Sequence, residues 1–408
     1  MTLHAVAGLH AGAGRAVITA PSYPLDGFDG EHDPLQARVL LLTAGPDRAA
    51  IAVLDQTSVH ASLVTSLRDT VAAAAHLDPG NVLVCVSHTF SAPHVSPEAA
   101  APLIDAVARA AARAEQTLEP ARIGYGHGTC HVNINRDVRT ADGWWLGASE
   151  TGVTDRSVAV VRIDDRWGHP IAIGMNYAVQ SSVMNESVTT EGERLVSADL
   201  AGAAVAYVED QYGDDTVALF LLGAAGDQGP YLSANRYLLD ADQGWSRADV
   251  HESGHLLVDL LGERLGSEVV RVAKGLACTA SPDLVRVVHD TVTVQAQQAP
   301  ASFRDLKPVT HYDFRPEGTA TVPITILRMG EIALAGVQPE LNAVTGLDIK
   351  NRSPLDATLV LTMVNGGAKY MADSASYDRI TYEAMNSHYA QGSAEIVANR
   401  IIELLEAP

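Results

Sequence analysis

The sequence predicts an α/β (α+β) fold: layered mixed sheets with flanking helices. Three observations predict it. Short apolar runs recur along the chain, often in pairs separated by a turn, as antiparallel hairpins require. Stretches with helical periodicity lie between them. Gly and Pro are spread over the whole length, with no linker, repeat, low-complexity tract or block of like charge, which reads as a single domain over residues 1–408.

The elements follow in order. ARVLLLTA and AAIAVLD flank a GPD turn and form a strand pair over residues 37–55. Residues 62–77 are expected as a helix, and NVLVCVS (81–87) as a buried strand ending in the polar loop HTFSAPHVSP. An Ala-rich helix spans 98–117. SVAVVRID and PIAIGMNYAV make a hairpin about a DRWG turn. SADLAGAAVAYVEDQY (197–212) is a helix with Ser197 or Asp199 near its cap. VALFLLG (217–223) is a strand that runs into the glycine-rich loop GAAGDQGP. Residues 255–274 are helical, and 284–296 alternate like a strand. VPITILRMGEIALAGV (322–337) is a hairpin turning near Met329-Gly330, ATLVLTMVNG (357–366) is a strand, and an amphipathic helix covers 393–406.

Composition excludes several classes of function. With 28 Lys+Arg against 49 Asp+Glu the net charge is −21, the wrong sign for nucleic acid or an anionic membrane surface. The 47% hydrophobic content suffices for a packed core and argues against disorder. No apolar run is long enough to span a bilayer, and the opening residues lack the basic head and apolar core of a signal peptide. Cys85, Cys130 and Cys278 are odd in number and widely spaced, so they form neither a disulfide framework nor a metal knuckle. The expectation is a cytoplasmic protein with reduced thiols, possible self-association and a small-molecule substrate.

Several strands end in loops dense with chemically capable residues. Strand 81–87 leads to His88 and then His94, 170–179 to Gln180, 217–223 to Asp227, 332–337 to Glu340, and 357–365 to Tyr370. Functional groups gather on loops held by a rigid sheet, and the joint placement is the signal rather than any one residue. His4, His10, His127, His131, His289, His311 and His388 read as solvated or locally bonded, although His388 and Tyr389 lie close enough to Tyr382 to share its pocket.

Eight segments, in order, resemble the catalytic domain of the neutral/alkaline ceramidase family. They are AGAGRAVITAP, HDPLQARVLLL, SHTFSAP against THTHSGP, VNINR against NRR, VSADLAG against ISADFPG, GAAGDQGP against GAAGDVSP, VQPELNAVTG against PGE…G, and VNGGAKYMADSASYDRITYEA against NGY-GYVPT…YE. The resemblance implies a zinc-dependent amidase cleaving an N-acyl bond with metal-activated water. By correspondence His88, Glu340 and Tyr370 are metal ligands, Arg136 is the arginine of NRR, and Tyr382 helps polarise the carbonyl; Arg136 and Tyr382 are candidates to bind and polarise substrate. Asp227 joins them as a substrate-binding candidate. Two positions depart. Phe90 stands at the second histidine of THTHSGP. Gln180 stands at the family's other metal-binding histidine, where an amide is a poor zinc ligand. Gln180 or His94 is the candidate to complete the metal set.

Two alternatives keep the same residues: a metal-free acid/base enzyme (isomerase, lyase or cyclase) with His88 and Glu340 as the proton-transfer pair, and a non-catalytic binding protein. A separate motif, His251-Glu252-Ser253-Gly254-His255, matches HExxH literally, but Gly254 and the flanks put it at a helix start capped by Asp249 or Ser246 rather than within a helix. GAAGDQGP lacks the Lys-Ser/Thr of a phosphate loop, and no GxSxG elbow is present.

Overall fold

The computed structural model describes residues 8–19, 23–239 and 245–407; His4 and the last two residues of AGAGRAVITAP lie outside them. Two mixed sheets pack face to face between two layers of helices. The larger has eight strands in the spatial order Val217–Leu222, Pro170–Tyr177, Ser157–Asp165, Glu119–Thr129, Leu9–Val17, Gln36–Ala44, Asp47–Leu54, Val82–Val86. Its interior pairs are antiparallel, whereas the edge strands Val217–Leu222 and Val82–Val86 run parallel to their neighbours. The smaller has the order Val285–Gln297, Pro316–Met329, Ile332–Val337, Ala357–Leu361, with the last pair parallel.

Alternation along the strands explains the layers. In Gln36–Ala44, Val39 and Leu41 point to the helices Ala61–Ala75 and Ala101–Gln116, while Leu40 and Leu42 point to the smaller sheet. Both faces are buried, so its middle, Val39–Leu42, reads as an unbroken apolar run. Leu327, Leu334, Leu359 and Leu361 meet Leu40, Leu219 and Leu221 between the sheets. The outer face of the smaller sheet is covered by Ala343–Arg352 and Ser393–Glu406.

Expected elements depart in their ends, each for a local reason. The helix Ala61–Ala75 stops at His76, whose backbone is left-handed at φ 52°. The strand expected over 357–366 ends at Leu361. Thr362 turns out to bond Leu222 and Gly223 of the larger sheet, and Met363 and Asn365 then take positive φ. Near the start of helix Asp199–Tyr212, Ser197 Oγ accepts from the Asp199 amide, and the Asp199 carboxylate reaches across to the amides of Val183 and Met184.

Candidate functional site

Three parallel strand pairs end at one side of the molecule and feed the loops that meet there. Backbone bonds stitch the loops together. Phe90 N–H donates to Ser181 O, Gln180 N–H to Gln228 O, Arg136 N–H to Asp227 O, and Glu340 N–H to Lys369 O. Glu340 and Tyr370 pair in a short parallel ladder. Gly226 is needed here: its amide donates to Leu341 O, and a Cβ on it would lie 2.8 Å from Asn342 Oδ1 and 3.1 Å from Glu340 O. GAAGDQGP is therefore a close backbone approach to the Glu340 strand, not a phosphate cradle.

His88 and Glu340 form the centre. His88 is left-handed at φ 60°, a strained choice for a non-glycine residue that turns its ring inward. Its Nδ1 lies 2.5 Å from Thr57 O. A carbonyl only accepts, so Nδ1 carries the hydrogen and Nε2 faces Glu340 Oε2 at 3.1 Å. Burial works against the imidazolium. The Glu340 charge and hydrogen bond, with the Thr57 carbonyl, outweigh it and hold the His88 pKa above its ordinary value. Burial likewise opposes the Glu340 carboxylate, but His88, Arg136 and Gln180 hold its pKa below the usual range. Both shifts favour the charged pair, in which the His88 Nε2–H donates to the Glu340 carboxylate.

Gln180 and Arg136 complete the network. Arg136 Nη1 donates to Gln180 Oε1 at 2.9 Å, and Gln180 Nε2 donates to Glu340 Oε2 at 2.9 Å. Guanidinium only donates and carboxylate only accepts, so the amide has a single orientation. Arg136 also grips Glu383 Oε1 through Nε at 2.7 Å and Nη2 at 2.6 Å, and lies over the rings of Tyr370 and Tyr382 with centroids at 5.1 and 5.6 Å. Burial opposes its charge; Tyr370 and Glu383 more than restore it. Burial pushes both tyrosine hydroxyls up, so they stay protonated donors. Trp145 stands edge-on to Tyr382, and Phe90 edge-on to His88 with ring centroids 4.8 Å apart.

The structure thus brings together His88, Gln180, Glu340, Arg136, Tyr370 and Tyr382. It leaves two candidates aside. Asp227 is buried behind the cup, its carboxylate committed to the Ala343 amide, Asn135 and Gln228, with burial pushing its pKa up to about 6. That is a scaffold role rather than substrate contact. His94 is exposed; it feels the His88 charge, but no hydrogen bond joins it to the buried His88–Glu340 contact and no group of three His, Cys, Asp or Glu among the described residues includes it. Tyr389 belongs to the core under the smaller sheet, while His388 is exposed.

Glu383 and Asp137 were not singled out from sequence. Both are buried, and together with Asp227 they make an acidic floor under Arg136 where burial, then Glu383 and Asp227, hold the Asp137 carboxyl protonated well above its usual range. Their positions directly after Tyr382 and Arg136 were the available signal.

The zinc implied by the resemblance meets a donor set that does not fit it. A catalytic zinc takes three protein ligands and keeps one open position. His88 and Glu340 supply two; the third that the resemblance names, the Tyr370 phenol, is held protonated by burial and its oxygen is bonded by the Arg136 guanidinium. The Gln180 oxygen is held by Arg136 and its NH2 is turned to Glu340, so Glu340 Oε2 receives two N–H donors where a metal would need its lone pairs. His94 does not fill in, and among the described residues no three His, Cys, Asp or Glu side chains are grouped as a metal site.

The HExxH segment is elsewhere. His251–Ser253 is a 3-10 turn, with His251 at φ 55° and bonded to Val188 O. Neither expected cap is the cap: Val250 and Ser253 hold the cap positions of the turn and of the helix without a side-chain bond, Asp249 accepts from the His251 amide from the end of strand Trp245–Asp249, and Ser246 lies within that strand. Glu252 accepts from Thr190, and His255 stacks on His32 with centroids 3.5 Å apart.

No known family model matches the sequence, nor does any curated protein. Solved structures do. The chain superposes on neutral ceramidase from Pseudomonas aeruginosa with a TM-score of 0.75 at 16% identity, covering 98% of this chain and 74% of that one. It also superposes on a ceramidase complexed with C2, with a TM-score of 0.73 at 15% identity, covering 98% of this chain and 75% of that one. The fold is neutral-ceramidase-like. No helix among the described residues is long and apolar enough to cross a membrane.

Proposed function

We propose that this chain, read as one catalytic domain, is a ceramidase-fold hydrolase. It acts on an amide or N-acyl bond of a small soluble substrate, by acid/base chemistry rather than through a resident zinc. The observation that carries the reading is the His88–Glu340 pair, with the His88 Nδ1–H held by the Thr57 carbonyl and its third side closed by the Gln180 amide. Glu340 Oε2 is occupied, so Oε1 is the atom that takes a proton from the attacking water. Arg136 and the Tyr370 hydroxyl face the carbonyl oxygen as it gains negative charge. His88 gives its Nε2 proton to the leaving nitrogen and recovers it from Glu340, so the proton count closes.

The same groups serve an isomerisation, elimination or cyclisation. What favours this second reading is that the residue at the family's histidine position is an amide locked to Arg136. The deciding experiment combines elemental analysis with turnover of an N-acyl panel in H2(18)O before and after chelation. Turnover with 18O in the released acid, unchanged by chelator and lost in His88→Ala and Glu340→Gln, supports metal-free hydrolysis. One zinc per chain that disappears in His88→Ala overturns it in favour of a metal enzyme. Product without 18O selects the second reading.

A further inference from the structure

Lys369 stands at the rim of the cup, one residue before Tyr370, and its carbonyl accepts the Glu340 amide at 2.8 Å. Its backbone is left-handed at φ 59°, where glycine sits without strain and lysine does not. The chain has only four lysines, and Lys350 is spent on Asp155 at 2.7 Å. Lys369 is exposed and faces no carboxylate within ion-pair distance among the described residues; its Nζ lies 5.0 Å from the Phe303 ring centroid. Two exposed imidazoles, His94 and His388, flank it. Burial and the Lys369 charge hold the pKa of both below the ordinary histidine value, His88 adding to the effect on His94 and Glu317 opposing it at His388. Arg136, the other cation of the cup, is neutralised by Glu383.

A protein carrying −21 repels anions at long range, but that field is screened beyond roughly 8 Å at physiological salt, so a lysine without a carboxylate partner dominates its own neighbourhood. We propose that Lys369 reads an anionic group, a carboxylate or a phosphate, on the substrate of this cup, with the exposed His94 and His388 as hydrogen-bonding partners beside it. The inference rests on the hydrolase reading only for the reacting end of that substrate.

Calorimetric binding of matched probes tests it: N-hexanoylglycine against its neutral glycinamide for the carboxylate, and N-hexanoylethanolamine O-phosphate against the free alcohol for the phosphate. Wild type is expected to prefer one anionic member about tenfold, the scale of one charged hydrogen bond. Which pair shows the preference tells carboxylate from phosphate. In Lys369→Gly the preference falls to about one with an equal or higher melting temperature, because glycine relieves the backbone. Lys369→Met repeats the loss of preference should the glycine variant fail to fold. Equal binding of charged and neutral members by wild type, no binding of either anion, or a preference kept in both variants overturns the proposal. Turnover is scored separately. Anion-selective binding without turnover keeps this inference and sinks the hydrolase reading. Equal turnover of neutral and anionic substrates does the reverse.

Discussion

Two histidine–glutamate sets occupy this molecule, and they behave oppositely. His251, Glu252 and His255 match a metal motif letter for letter, yet the segment folds as a 3-10 turn leading into helix Gly254–Lys274, and its side chains go to separate partners. His88 and Glu340 are 252 positions apart, lie in two separate segments, and meet at 3.1 Å in a buried cup. A sequence motif carries chemistry only when the backbone has the period that brings its side chains to one face. Strand ends from a rigid sheet can do the same across any sequence distance.

The sharpest way to break the comparison is to cut each set. Glu340→Ala strands a buried imidazolium and is expected to cost about 3–5 kcal/mol by denaturant unfolding. Glu252→Ala, at the exposed turn, should leave the unfolding midpoint where it was. Equal losses would mean that the turn, not the cup, anchors this half of the fold. Next in size is Gly254→Ala. An added Cβ would sit 2.5 Å from Met184 Sδ and 2.4 Å from Ala234 Cβ, so overpacking costs about 1–3 kcal/mol with no change in metal content. If that variant instead alters metal content, the motif binds metal after all.

A smaller effect separates the sets by pH. The folded His88 pKa lies above the unfolded value of 6.5, so its contribution is complete below pH 6.5 and fades as pH rises through the folded pKa. His255 is shifted the other way, by burial and the His32 charge, so its stabilisation is lost as pH falls below 6.5. Melting curves of His88→Gln and His255→Gln against wild type should therefore diverge on opposite sides of that pH. Divergence on the same side would refute the charge assignment of one of them. The smallest expected effect is on turnover: His251→Ala should match wild type within about twofold, whereas His88→Ala should lose roughly 10²–10⁴, the usual worth of a positioned acid or base.

The layered class, most elements and the strand ends carrying His88, Gln180, Glu340 and Tyr370 were legible from the sequence. Buried strands write themselves as apolar runs, turns as Gly, Pro and Asp, and polar residues just past a strand have few places to go. The resemblance added Arg136 and Tyr382. The sequence left open whether Gln180, His94 or the HExxH histidines complete a metal set, because ligand choice depends on distances between segments far apart in the chain. Tertiary structure turns the Gln180 amide between Arg136 and Glu340 and leaves His94 exposed. It also placed Glu383 and Asp137 under Arg136, and drew Gly226 against the Glu340 strand. Local pattern determines which residues are buried and in what period. Which buried polar groups face one another follows from strand order and sheet packing, and a single sequence does not write those down.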